Sequence, residues 1–190
     1  MTGKTHAAAG AFIGAVIGQL TGSPLEGFFL GMFAGLLPDI DHPRSTLGRK
    51  RKSLSIAVNA IAGHRGITHT VWFCLVAAVG IALLTALAGP ILYAVFPRPD
   101  LLEIMESVLQ AGVSWPTPLV LGLIIFLGSL SHLLLDGITI SGIEPFYPVR
   151  LPARLAWLEY PKGIIKTGNE LIELPLSFLL LVLGYLILVA

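Results

Sequence analysis

Long uncharged apolar runs alternate along this chain with short polar stretches. Val71 to Phe96 carries no charged residue, and Pro118 to Leu135 has only Ser129, Ser131 and His132 as notable polar side chains. Leu174 to Ala190 forms a third run. A helix needs about 20 largely apolar residues to cross roughly 30 Å of hydrocarbon, so each run predicts a membrane span. The stretch from Ala7 to Leu37 is also apolar, but Thr21, Gly22, Ser23, Pro24 and Glu26 interrupt it with turn chemistry and a charge. It predicts two short helices folded as a hairpin. Gly10, Gly14 and Gly18, four residues apart, give the first of these a face for close packing. The other reading of this end is a cleaved signal peptide, with Lys4 before an apolar core reaching Leu20 and small residues at Thr21 to Ser23. A single lysine and a core broken by glycines fit that pattern poorly.

Two connecting pieces read as interfacial. After Pro99 and Asp100, the apolar Leu101, Leu102, Met105, Val108 and Leu109 recur at helical spacing up to Gly112, which predicts a short amphipathic helix on the outer surface. Phe146 to Tyr160 mixes Pro148, Arg150, Pro152, Arg154, Trp157 and Tyr160, the aromatic and basic mixture of the headgroup level, suited to anchoring or to gripping a lipid phosphate. The predicted fold class is all-α, a polytopic transmembrane helical bundle of about five membrane helices plus short interfacial helices. Residues 1–190 read as one domain.

Composition supports a membrane protein. Of 190 residues 55% are hydrophobic and 12% charged, with a mean hydropathy of +0.84, too oily for a soluble globule. Twelve Lys and Arg against eleven Asp and Glu leave a formal charge of +1, so there is no basic excess to hold phosphate backbones and no nucleic-acid partner is expected. Cys74 is the single cysteine, which excludes an intramolecular disulfide. The basic residues set orientation. If the N-terminal hairpin returns, Lys4, Arg44, Arg49, Lys50, Arg51, Lys52, Arg65, Arg150, Arg154, Lys162 and Lys166 share one side, and Arg98 stands alone opposite. By the positive-inside rule the crowded side is cytoplasmic. A multi-pass protein of the inner (cytoplasmic) membrane follows, with its N-terminus in and its C-terminus out.

Under that topology all five histidines fall at cytoplasmic helix ends. His6 precedes the first helix, Asp39, Asp41 and His42 close the second, His64 and His69 precede the third, and His132 with Asp136 closes the fourth. Acidic and imidazole groups at membrane depth are costly without partners, metal or water, so four such clusters at one end imply a shared polar cavity. Pro38 and Pro43 bracket the second cluster and predict non-helical backbone there. Two carboxylates and an imidazole within four residues suit Zn, Mn or Fe more than Cu(I); the alternative is a solvated turn with a helix cap. His64 and His69 flank Arg65, whose planar fork of donors suits a phosphate or carboxylate; the alternative is a basic anchor. His132 and Asp136, four apart, either share one ion or pair as ligand and orienting carboxylate. His6 joins only if the hairpin folds back, because one straight helix from His6 to Asp39 would hold them about 50 Å apart. The eight residues His6, Asp39, Asp41, His42, His64, His69, His132 and Asp136 exceed what one tetrahedral ion uses, so one ion with supporting residues or a pair of ions is the natural reading. Glu170 and Glu173 are either a further carboxylate or general base, or ordinary acids complementing the last helix's dipole.

Read in order, Thr5-His6, Leu36-Pro38-Asp39-Ile40-Asp41-His42-Pro43, Gly63-His64-Arg65-Gly66-Ile67-Thr68-His69, Ser131-His132 with Asp136, and Thr167-Gly168-Asn169 resemble the YdjM-type membrane-bound metal-dependent hydrolases of bacteria and archaea. Thr70 departs from the serine of that pattern and keeps the hydroxyl. The family is in turn distantly similar to zinc-dependent phospholipase C, and the resemblance implies hydrolysis of a lipid phosphoester by clustered zinc ions. In that reading Asp39 or Asp41 bridges ions or takes a proton from water, Arg65 stabilises developing charge, and the substrate is a membrane lipid or related amphiphile. The rival reading is a transition-metal transporter or sensor without hydrolysis.

Overall fold

A computed structural model describes residues 1–42, 45, 56, 66–95 and 117–190. Among them the protein is all-helical, with five α-helices: α1 Gly3–Thr21, α2 Pro24–Ala34, α3 Val71–Val95, α4 Pro118–Gly137 and α5 Glu170–Val189. Three of these, α3, α4 and α5, are long and apolar enough to cross a membrane. That is fewer than the five crossings expected from the sequence. Helix α2 has 11 residues, about 16 Å at 1.5 Å per residue, and α1 has the length but carries Lys4, His6 and Gln19. The amphipathic helix expected between Asp100 and Gly112 lies outside the described residues.

The hairpin of α1 and α2 is closed by Gly22, whose φ of 80° is left-handed, and Pro24 opens α2 at a position where its missing N–H costs nothing. Along the hairpin, backbone touches backbone. A Cβ at Gly10 would strike the Gly31 carbonyl, one at Gly14 the Gly27 carbonyl, and one at Gly35 the carbonyl of His6. Both helices therefore contribute glycines four residues apart, and the last contact holds His6 beside the end of α2. Helix α4 lies against the same place, with Gly128 facing Ala34 and the Ser129 hydroxyl donating to the Ala34 carbonyl at 3.1 Å. Helix α5 runs parallel to α1, since Ser177 meets Thr5 and Gly184 meets Phe12.

The cluster segment that closes α2 folds differently from the sequence reading. Leu37–Asp41 is a 3-10 turn with Pro38 near its start, not a non-helical stretch, because proline is tolerated in a first helical turn. His69 ends a separate 3-10 turn, Ile67–His69, and α3 starts only at Val71. Residues 138–169 form a folded connection, stitched by an isolated bridge between Thr139 and Ile165 and tied to α3 where the Trp72 indole donates to the Phe146 carbonyl. Trp157, Tyr147, Tyr160 and Ile164 project from it, as membrane-interface anchors do.

Replacing Gly31 by leucine is expected to open the hairpin at a cost of at least about 1–3 kcal/mol, read as a lowered unfolding temperature in detergent. Gly80 has nothing within 4 Å of a Cβ, so Gly80→Leu is expected to leave that temperature unchanged or raised. Equal effects at the two positions would refute the glycine contact.

Candidate metal centre

Four chain segments meet at one end of the bundle: the first turn of α1, the 3-10 turn after α2, the 3-10 turn before α3, and the last turns of α4. The fold brings together His6, Asp39, His69, His132 and Asp136 as two overlapping sets of donors, one of His6, His132 and Asp136 and one of Asp39, His69 and His132. His132 belongs to both. All are essentially buried except Asp39, which keeps 19% of its side chain exposed.

Each ring has a fixed aim. His132 donates from Nδ1 to the Gly35 carbonyl at 2.8 Å, which turns Nε2 inward. That is how proteins fix the tautomer of a ligating histidine. His69 Nδ1 lies 3.2 Å from the Thr68 hydroxyl and 3.8 Å from Asp41 Oδ2. His6 stacks on His132, with ring centroids 3.6 Å apart, and its Nε2 reaches Asp136 Oδ1 at 3.2 Å. The amino group of Met1 contacts the same oxygen.

The central distances decide what the arrangement can do. His69 Nε2 is 3.8 Å from Asp39 Oδ1 and 3.8 Å from Asp136 Oδ2. His132 Nε2 is 3.7 Å from the same two oxygens. Hydrogen bonds between nitrogen and oxygen span about 2.7–3.2 Å, so these contacts are too long for them. Donor atoms sharing one zinc ion at about 2.1 Å stand roughly 3.4 Å apart, and the four imidazole–carboxylate separations each exceed that by only a few tenths of an ångström. Buried His132 Nε2 and His6 Nδ1 have no hydrogen-bond partner among the described residues, and a buried imidazole nitrogen left so is costly. A cation at His132 Nε2, shared with the carboxylates that this nitrogen faces, would remove that cost there, so these residues fit a divalent metal. Asp136 faces two ways, Oδ2 toward His69 and His132 and Oδ1 toward His6 and the Met1 amino group.

The remaining sequence candidates separate. Asp41 is fully buried, with Oδ2 3.8 Å from His69 Nδ1, and is in neither donor set. His42, half-buried at the end of its 3-10 turn, is in neither donor set. His64 and Arg65 lie outside the described residues. Glu170 and Glu173 stand outside the cage. Glu173 accepts from the Thr2 amide at 2.8 Å, the Thr5 hydroxyl at 2.9 Å and the Gly168 amide at 2.7 Å, so it clasps the start of α1 to the turn before α5. Sequence reasoning missed the Gly35 carbonyl and the Thr68 hydroxyl. Only Thr68, adjacent to His69, left a signal.

The whole chain, residues 1–190, matches the family described as YdjM inner membrane protein. The chain belongs to this family. An "Inner membrane protein YdjM" of Escherichia coli (strain K12) is 34% identical over 128 residues, 67% of this chain and 52% of that protein, and its Shigella flexneri counterpart matches equally. The aligned segment thus spans about half the length of these two relatives. The "Uncharacterized protein YvsG" of Bacillus subtilis (strain 168) is 28% identical over 176 residues, 90% of this chain and 91% of that protein. No solved structure matches.

Protein purified without chelator is expected to carry one or two divalent ions by elemental analysis, and His132→Ala to carry almost none, since both donor sets need His132. Thr68→Val is expected to weaken the metal about 10- to 100-fold, the usual cost of losing a hydrogen bond behind a ligand. Metal content untouched by His132→Ala would refute the cage.

Proposed function

We propose that this protein is an inner-membrane, metal-dependent hydrolase that cleaves a phosphoester of a phospholipid or related amphiphile at the cytoplasmic face. The single observation carrying the reading is that His69 Nε2 and His132 Nε2 each face Asp39 Oδ1 and Asp136 Oδ2 at 3.7–3.8 Å at one end of the helices. Its location at that end, where α1 begins with Lys4 and from which the connection carrying Lys162 and Lys166 leads on to α5, supports cytoplasmic access by the positive-inside rule. The alternating direction of the five helices supports a bundle entered from that face, with α1 and α2 as a hairpin sunk into it. The family description supports the inner membrane.

A divalent ion, zinc in the first instance and manganese or iron by the same donors, would acidify a water molecule and polarise a phosphoryl oxygen. The chain's residues do the rest. His69 and His132 would hold it through the ring nitrogens that face Asp39 and Asp136, with the His132 ring fixed from behind by the Gly35 carbonyl. Asp136 would join through Oδ2, its other oxygen being turned to His6 and the Met1 amino group. Asp39 is the partly exposed donor, so it stands where substrate and water arrive and is the residue positioned to take the water's proton. The Thr68 hydroxyl, 3.2 Å from His69 Nδ1, holds that ring from behind, and the buried Asp41 carboxylate adds negative charge on the same side. Arg65, adjoining Gly66 in the sequence, has the guanidinium fork to neutralise charge gathering on the phosphate.

One observation favours the rival reading of a metal transporter or sensor: the three imidazoles are almost dry, and closed sites are more often structural than catalytic. Against it, transporters hold their ions near the bilayer midplane with access from both faces, whereas these donors sit at helix ends. The metal-loaded protein is expected to release a phosphate-bearing product from phospholipid vesicles, and Asp39→Ala to lower turnover at least about 100-fold while staying membrane-inserted. If the loaded protein releases nothing from phosphatidylethanolamine, phosphatidylglycerol or cardiolipin, and instead carries the ion into vesicles, transport replaces hydrolysis.

A further inference from the structure

A cavity of about 680 Å³ forms a groove between α1 and α5 that the metal cage does not use. Its volume lies within the 300–1,000 Å³ common to ligand sites. Because α1 and α5 run parallel, the lining residues can be ordered by depth. At the bundle's polar end stand Thr2, Lys4, Glu170 and Glu173; deeper along the helices come Ala8, Met32, Leu174, Phe178 and Leu181. The groove is therefore amphipathic along its length, charged at the rim and apolar below.

The chemistry of the rim narrows the occupant. Glu173 is committed to Thr2, Thr5 and Gly168, which leaves the exposed Lys4 ammonium and the exposed Glu170 carboxylate as the rim's charged groups. Together they complement a headgroup that carries a phosphate and an amine. The deep walls belong to a helix that reads as a membrane span, and Leu174 and Phe178 are both largely exposed on it. Hydrocarbon is the medium such a surface meets, so an acyl chain enters without crossing water. The rim also adjoins the cage, because Thr5 lines the groove and the next residue, His6, stacks on His132.

We propose that the groove between α1 and α5 holds one acyl chain of an amine-bearing membrane phospholipid, with its headgroup at Lys4 and Glu170, one turn of α1 from the metal cage. This rests on the hydrolase reading for its purpose but not for its test. Phosphatidylethanolamine with a diazirine in its acyl chain, in vesicles of phosphatidylethanolamine and phosphatidylglycerol, is photolysed with the full-length, metal-loaded protein, and the labelled peptides are mapped by mass spectrometry. Label is expected at Ala7, Ala8 and 174–181 in at least about fivefold excess over the equally apolar, exposed face of α3 around Leu83 and Leu84. Ala7→Trp or Leu181→Trp, which fill the groove from opposite walls, is expected to remove that excess with the bound metal unchanged, and Leu84→Trp to leave it intact. Even labelling of α3 and α5, or an excess that survives both groove variants, overturns the proposal. Selective labelling without product release would leave the groove standing and bring down the hydrolase reading alone.

Discussion

Three imidazoles and two carboxylates held almost dry, with the partly open Asp39 beside them, at one end of a helical bundle are the constraint on which the rest of this structure depends. Polar groups of this kind leave water only when something replaces it. Hydrogen bonding replaces part: Gly35 satisfies one nitrogen of His132, and Thr68 faces one of His69. The inner nitrogens of His69 and His132 and the facing oxygens of Asp39 and Asp136 stand 3.7–3.8 Å apart, longer than a hydrogen bond. A divalent ion between them would supply the positive charge that draws such groups together.

The packing elsewhere serves that convergence. Glycine contacts bring α1 and α2 together backbone to backbone, which places His6 beside Gly35 and lets the Gly35 carbonyl reach His132. Ser129 and Gly128 then seat α4 on the end of α2, and Glu173 ties α5 to the start of α1. A side chain added on the glycine seam would move His6 and the 3-10 turn together, so the seam and the cage are one mechanical unit. Function and fold share the same few ångströms.

Much of this could be read from the residues. Runs without charge marked α3, α4 and α5, the turn at Thr21 to Pro24 marked the hairpin, and a histidine or aspartate at each of four helix ends marked the cage. Other features depended on tertiary contacts that a sequence does not display. Glu173 reads as a first-turn acid or a base, and only the approach of Thr2 and Thr5 from 170 residues away makes it a clasp. Asp41 and Asp39 look equivalent in the chain, yet the 3-10 turn buries one completely and leaves the other partly open. His42 adjoins them in sequence but lies past the end of that turn, so proximity along the chain overstated its share in the site. The short α2 likewise reads as a span until Leu37–Asp41 tightens into a different helix.

X-ray absorption at the metal edge of the purified, loaded protein tests the shared cation most directly. The account predicts a shell of nitrogen and oxygen alone at about 2.0–2.2 Å, with the outer scattering of at least two imidazoles. A shell without imidazole, or no bound transition metal after loading, would contradict it.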